Sequence, residues 1–163
     1  MSRQFWALFA VGLAIVAAGL AFIWTGTKGA HLDVNGKIIN VRAIHLGDSE
    51  LVAVDFRVTN TSDVPFVVRE TSLGLAGQEQ LKGMEVSRPD VDTMFQVHPQ
   101  LGGKNNEVLA TGDTIPPRMT LYRMAEASFK GLASVASVQK DLVIHIEDVD
   151  GAAFDITQEE NSK

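Results

Sequence analysis

The chain contains no cysteine. Disulfides, thiolate zinc sites and cysteine nucleophiles are therefore excluded, and the redox compartment leaves no trace in the sequence. Positive charge is also scarce: 14 Lys and Arg stand against 20 Asp and Glu, for a formal net charge of −6. Binding to nucleic acid needs a basic patch, so this balance argues against such a partner. Aromatic residues make up only 7% of the chain, and both tryptophans sit near its beginning.

Signatures of chemistry are missing as well. His31, His45, His98 and His145 show neither the i, i+4 spacing of a helical metal site nor a His-x-His pair on a strand. There is no Gly-x-Ser-x-Gly nucleophile elbow. The glycine pair in Gln100 to Asn106, QLGGKNN, is followed by neither a P-loop Lys-Ser nor Rossmann spacing. Glu147, Asp148 and Asp150 resemble a calcium loop but lack the EF-hand spacing and its terminal glutamate, so they read as a hairpin turn. Glu70, Glu79 and Glu85 could pair as catalytic acids, but solvated strand faces account for them. No catalytic residue, no cofactor and no metal is expected, and the chain reads as a non-enzyme.

What the sequence does have is one long apolar run. Phe5 to Trp24, FWALFAVGLAIVAAGLAFIW, carries no charge. About 20 such residues at ~1.5 Å rise match the ~30 Å hydrocarbon core, so residues 5–25 are expected to form a single transmembrane helix behind a tail of residues 1–4. Trp6 and Trp24 would anchor it at the two interfaces. The alternative is a cleaved signal peptide, but the run exceeds the ~7–15 residues of a signal core. Thr25 to Ala30 is also a poor cleavage site. Ala7, Ala10, Ala14, Ala17 and Ala21 recur at spacings of three and four. They would form a seam on which another membrane helix could pack, unless alanine is simply common here. The expected partners are thus the lipid bilayer and an integral membrane protein reached through the alanine face. The expected location is the inner (cytoplasmic) membrane, with the β-domain on the periplasmic side. The basic residues do not by themselves fix this orientation, since Arg3 is opposed by Lys28, Lys37 and Arg42.

Residues 26–157 are expected to form an antiparallel β-sandwich, and residues 158–163 a polar tail. In Leu51 to Val68, LVAVDFRVTNTSDVPFVV, Val52, Val54, Phe56 and Val58 alternate with Ala53, Asp55, Arg57 and Thr59. That period of two predicts a strand with one apolar and one wet face. Asn60 to Pro65 supplies turn residues and Phe66 to Val68 restarts an apolar run, which predicts a β-hairpin. Asn60-Thr61-Ser62 also matches a glycosylation sequon, although a turn explains it. A first strand is expected over Ala30 to Ile44, with a bulge at Gly36 to reconcile the parity of Leu32 and Val34 with that of Ile39, Val41 and Ala43. Ser87 to His98 predicts one short helix across an open end of the sandwich. Ser87 would cap it, Pro89 suits the first turn, Val91, Met94, Phe95 and His98 share a face, and Pro99 stops it. Met119 to Phe129 predicts a long strand, and Asp141 to Ile156 a last hairpin with Leu142, Ile144 and Ile146 facing in. Arg123 interrupts the apolar parity of its strand. It reads either as a charge on an edge strand or as a buried partner for a carboxylate such as Asp55.

Three runs carry a family resemblance: HLDVNGKIINVRAI, LVAVDFRVTNTSDVPFVVRE and IPPRMTLYRMAEASF. The phrase V-x-F-x-V-x-N, a polar turn, an apolar strand and a later proline-marked turn resemble the immunoglobulin-like β-sandwich of the late-embryogenesis-abundant, water-stress type and its bacterial membrane-anchored relatives. The resemblance covers most of residues 30–157. It implies an immunoglobulin-like fold and a non-enzymatic role, and it carries over no catalytic residue. Two roles fit: an accessory or assembly subunit of a larger membrane complex, for example respiratory or photosynthetic, or a free-standing tethered ectodomain that binds a ligand, peptide or envelope component.

Overall fold

The computed structural model describes residues 5, 6, 9, 11–19, 32–76, 82–132, 134, 135 and 139–158. The chain divides into two units, Met1–His31 and Leu32–Lys163. In the first, Phe5, Trp6, Phe9 and residues 11–19 are helical and exposed. The longest uninterrupted described run, 11–19, measures about 14 Å at ~1.5 Å per residue, half of what a bilayer requires. Among the described residues no helix is long and apolar enough to cross a membrane. The transmembrane helix expected over 5–25 is corrected accordingly: an apolar composition is present, but a described helix of spanning length is not.

The second unit is mainly β. Its strands are β1 (Val34–Leu46), β2 (Ser49–Asn60), β3 (Phe66–Leu75), β4 (Met84–Glu85), β5 (Thr114–Ile115), β6 (Thr120–Lys130), β7 (Leu142–Asp148) and β8 (Ala153–Thr157). An α-helix, α1, spans Arg88–Val97. Among the described residues the strands form two four-stranded sheets, in the orders β1-β2-β6-β4 and β5-β3-β7-β8, and neighbouring strands run antiparallel. The period-two pattern decides the shared core. Val52, Val54, Phe56 and Val58 from β2 meet Leu73, Ile144, Ile146 and Ile156 from the opposite sheet, and all are buried. Each such side chain contributes roughly 1.5–3 kcal/mol on burial.

Several expectations change in three dimensions. Leu51 to Val68 is no hairpin. β2 pairs with β1 and β6, whereas β3 pairs with β5 and β7, so residues 61–65 carry the chain from one sheet to the other. The reason lies in Asn60, which is fully buried. Its Nδ2 donates to the carbonyls of Val64 (2.8 Å) and Ile115 (3.0 Å), and its Oδ1 accepts from Ser62 N (3.0 Å). These bonds close an Asx turn that aims the chain across the sandwich. They also bury the sequon's acceptor nitrogen. The true hairpin is β1–β2, closed at Leu46 and Ser49 with Gly47 at φ +61°.

The bulge of β1 lies at Ile39, since Ile38 pairs with Phe56 and Asn40 with Asp55. Gly36 has another duty: a Cβ there would meet the Ile156 side chain and would lie 2.8 Å from the Arg57 carbonyl. β6 lies between β2 and β4, but β4 meets it only at Ala127 and Ser128, so among the described residues the strand neighbour of Arg123 is β2 alone; Arg123 is half-buried and donates to the carbonyl of Tyr122 (2.9 Å). The final hairpin forms with the expected facing, and Asp148 shapes its turn by accepting from Val67 N (2.7 Å) and Asp150 N (2.9 Å).

Candidate functional site

The face of β2 predicted to be wet is covered. Ala53 and Asp55 are buried, and Ala53 packs with Met124 of β6 and with Val91 and Val108. The cover is the stretch from Val86 to Leu109, which includes α1. That helix lies against the outer face of the first sheet, not across an end of the sandwich. Val91 is its buried residue, with Met94, Phe95 and His98 half-buried on the same side. Ser87 occupies the N-cap position in extended geometry, but its hydroxyl binds the Asp90 carboxylate and makes no side-chain cap to the backbone. His98 caps the other end, and a 3₁₀ turn, Pro99–Leu101, follows.

Beneath this cover lies a polar cluster. Arg42 Nη2 donates to Asp55 Oδ2 (2.8 Å), and Arg42 Nη1 donates to the carbonyls of Leu101 (2.9 Å) and Gly103 (2.7 Å). The guanidinium stacks over the Phe95 ring at 5.0 Å. Asn106 Nδ2 completes Asp55 by donating to Oδ1 (2.8 Å). Arg42 therefore ties the covering loop to the sheet through a paired, desolvated charge. It is Arg42, not Arg123, that answers Asp55. Sequence spacing gave no signal for this, because residues 42, 55, 101 and 106 meet only through pairing of β1 with β2 and return of the loop.

Glu126 sits in the same layer and has no such answer. It is buried, and neither carboxyl oxygen has a hydrogen-bond partner. Burial pushes its carboxyl up to about 7, against the opposing field of Arg42. Thr71, whose hydroxyl is likewise unpartnered, lines with Glu126, Glu85, Val108 and Leu109 a cavity of about 10 Å³, close to the space of one water.

A second feature is a cleft of about 350 Å³ where the connection after β6 packs against β1 and β2. Val41, Ala43 and Val135 supply apolar walls, and His45, Glu50 and Gln139 polar ones. Glu50 is buried at its edge, with its carboxylate 3.2 Å from His45 Nδ1.

The remaining sequence candidates fall elsewhere. Trp6, Ala14 and Ala17 are exposed; Ala7, Ala10, Ala21 and Trp24 lie outside the described residues, as do His31 and Glu79. His145 pairs with Asp155 (2.7 Å) on an exposed hairpin face. The Lys82 ammonium beside Glu70 holds that carboxyl below its ordinary range, and burial raises Glu85. Among the described residues no group of three histidine, aspartate or glutamate side chains could hold a metal ion. No protein-family model matches the chain, and no curated protein matches it in sequence.

Proposed function

We propose that the protein is a non-enzymatic β-sandwich of the immunoglobulin-like, water-stress type that acts as an accessory or assembly subunit of a larger protein complex. The observation that carries this reading is the outer edge of β1, on which no described strand pairs. The strand is 13 residues long, lies at the end of its sheet and, among the described residues, pairs with β2 alone. It presents Ile39, 54% exposed, and Leu46, 37% exposed. A sheet edge without a described strand partner can offer backbone donors and acceptors to an extended segment of another protein. The bulge at Ile39 breaks its regularity and so guards against indiscriminate pairing. Membrane attachment and a periplasmic side depended on the spanning helix and form no part of this reading.

A tagged full-length chain, purified gently and analysed by mass spectrometry, should bring down a protein partner in fixed stoichiometry. The I39K/L46K double variant should lose about tenfold or more of that recovery, while its folding stability stays within about 0.5 kcal/mol of wild type. Undiminished recovery would remove the β1 edge as the contact. A chain that emerges alone would favour the second reading, a binder of a small ligand, for which the cleft beside Glu50 has the appropriate size.

A further inference from the structure

We propose that Glu126 is a proton-operated latch for the Val86–Leu109 cover: neutral, it lies quietly beneath the docked cover, and ionised, it competes with Asp55 for Arg42 and loosens it. The register shows why the competition exists. Arg42 pairs with Ala53, and Ala53 pairs with Glu126, so the three form one cross-strand row on the covered face. Adjacent strands lie about 4.8 Å apart, which puts the outer two backbones roughly 10 Å from each other. The residue between them is alanine. A single methyl leaves the long arginine side chain free to lean either way. It leans diagonally, to Asp55, one row along.

The consequence is one guanidinium for two buried carboxyls. Asp55 receives Arg42 and Asn106, whereas both Glu126 oxygens are unpartnered and buried, as is Arg42 Nε. A buried carboxyl without a donor is tolerated when it is protonated and costly when charged. Burial accordingly raises Glu126 to about 7, so the group changes charge across the neutral range. Once it is charged, the cation whose field acts on it is Arg42. Moving toward Glu126 withdraws Nη1 from the carbonyls of Leu101 and Gly103, the two bonds by which the guanidinium holds the loop.

Other charged groups surround the row. Glu85 comes from β4. On the cover, Arg88 is bound to Asp113 and the Val108 carbonyl, and Lys104 to Asp92 and Glu107; His98 closes α1. The test must separate these from Glu126. Hydrogen exchange of the full-length chain, corrected for intrinsic rates, is measured by mass spectrometry at pH 5.5 and 8. Peptides from residues 86–109 should lose about tenfold in protection at the higher pH, relative to peptides from β2 and β7. In E126Q and E126M the protection should be the same at both values, whereas E85Q and H98Q should keep the wild-type response. Either Glu126 variant suffices if the other does not fold. A wild-type cover indifferent to pH, or a response that survives removal of the Glu126 charge, would overturn the latch.

Discussion

Arg42 donates simultaneously to Asp55, Leu101 and Gly103 and stacks on Phe95, so three separate stretches of chain, β2, α1 and the loop after it, converge on one side chain. Removing it strands the Asp55 carboxylate, whose side chain is only 4% exposed, with a single donor from Asn106. R42M is therefore expected to cost about 3–5 kcal/mol, the usual range for breaking a buried pair from one side. R42M/D55L removes both charges and should regain most of that loss in urea unfolding. Equal destabilisation of the single and double variants would show that the loop carbonyls, not the ion pair, dominate. Periodicity predicted that the Asp55 position faces water. Its polar side chain does belong to the outer face, but its burial depends on a loop that lies some 50 residues further along the chain.

At the scale of elements, the strands are legible because period-two alternation is a local property of the backbone: β2 and β7 bury the residues it predicts, whereas β6 buries Ala125, Ala127 and Phe129 while Met119, of the same parity just before it, is exposed. Pairing is not local. The sequence Asn60 to Pro65 is good turn chemistry whether it joins partners within a sheet or crosses between sheets. Only the buried bonds of Asn60 to Val64 and Ile115 select the crossing. Gly36 makes the same point. In sequence it resembles a bulge; in the fold it is the close approach between β1 and β8, and the bulge comes three residues later. G36A places a methyl against Ile156 and a backbone carbonyl that cannot rotate away. It should cost about 1–3 kcal/mol, as overpacking of a tight core does. Trimming the partner in G36A/I156V should recover part of this in thermal unfolding, but not all, because the Arg57 carbonyl stays in place.

For the molecule as a whole, the buried carboxyl sets the pH response. The Glu126 pKa is raised in the folded state, so between about 4.5 and about 7 the native chain holds more protons than the unfolded one. Stability must then fall as pH rises through that window, by an amount on the order of 3 kcal/mol. Glu70 and Asp63 act oppositely: Lys82 and Arg118 lower them, so their smaller contributions are lost on acidification. Urea midpoints should therefore peak on the mildly acidic side, near pH 5. E126Q should flatten the decline toward pH 8, and a wild-type curve that instead climbs to pH 8 would contradict the burial of this group as a cause of instability.

The sequence by itself determined the β class, the long apolar-faced strands, the short helix and the absence of cysteine chemistry. These follow from composition and from alternation, which depend on near neighbours in the chain. It also led to a membrane span, because apolar length is easily read while the extent of a helix is a structural property; the described helix falls short of a span. Only tertiary structure decided which strands share a sheet, which face of β2 the helix would cover, and which arginine would meet Asp55. It alone left Glu126 buried beside a cation that was already taken. Those outcomes rest on register and on the return of distant segments, where one pairing brings Arg42, Ala53 and Glu126 into line and no spacing along the chain encodes it.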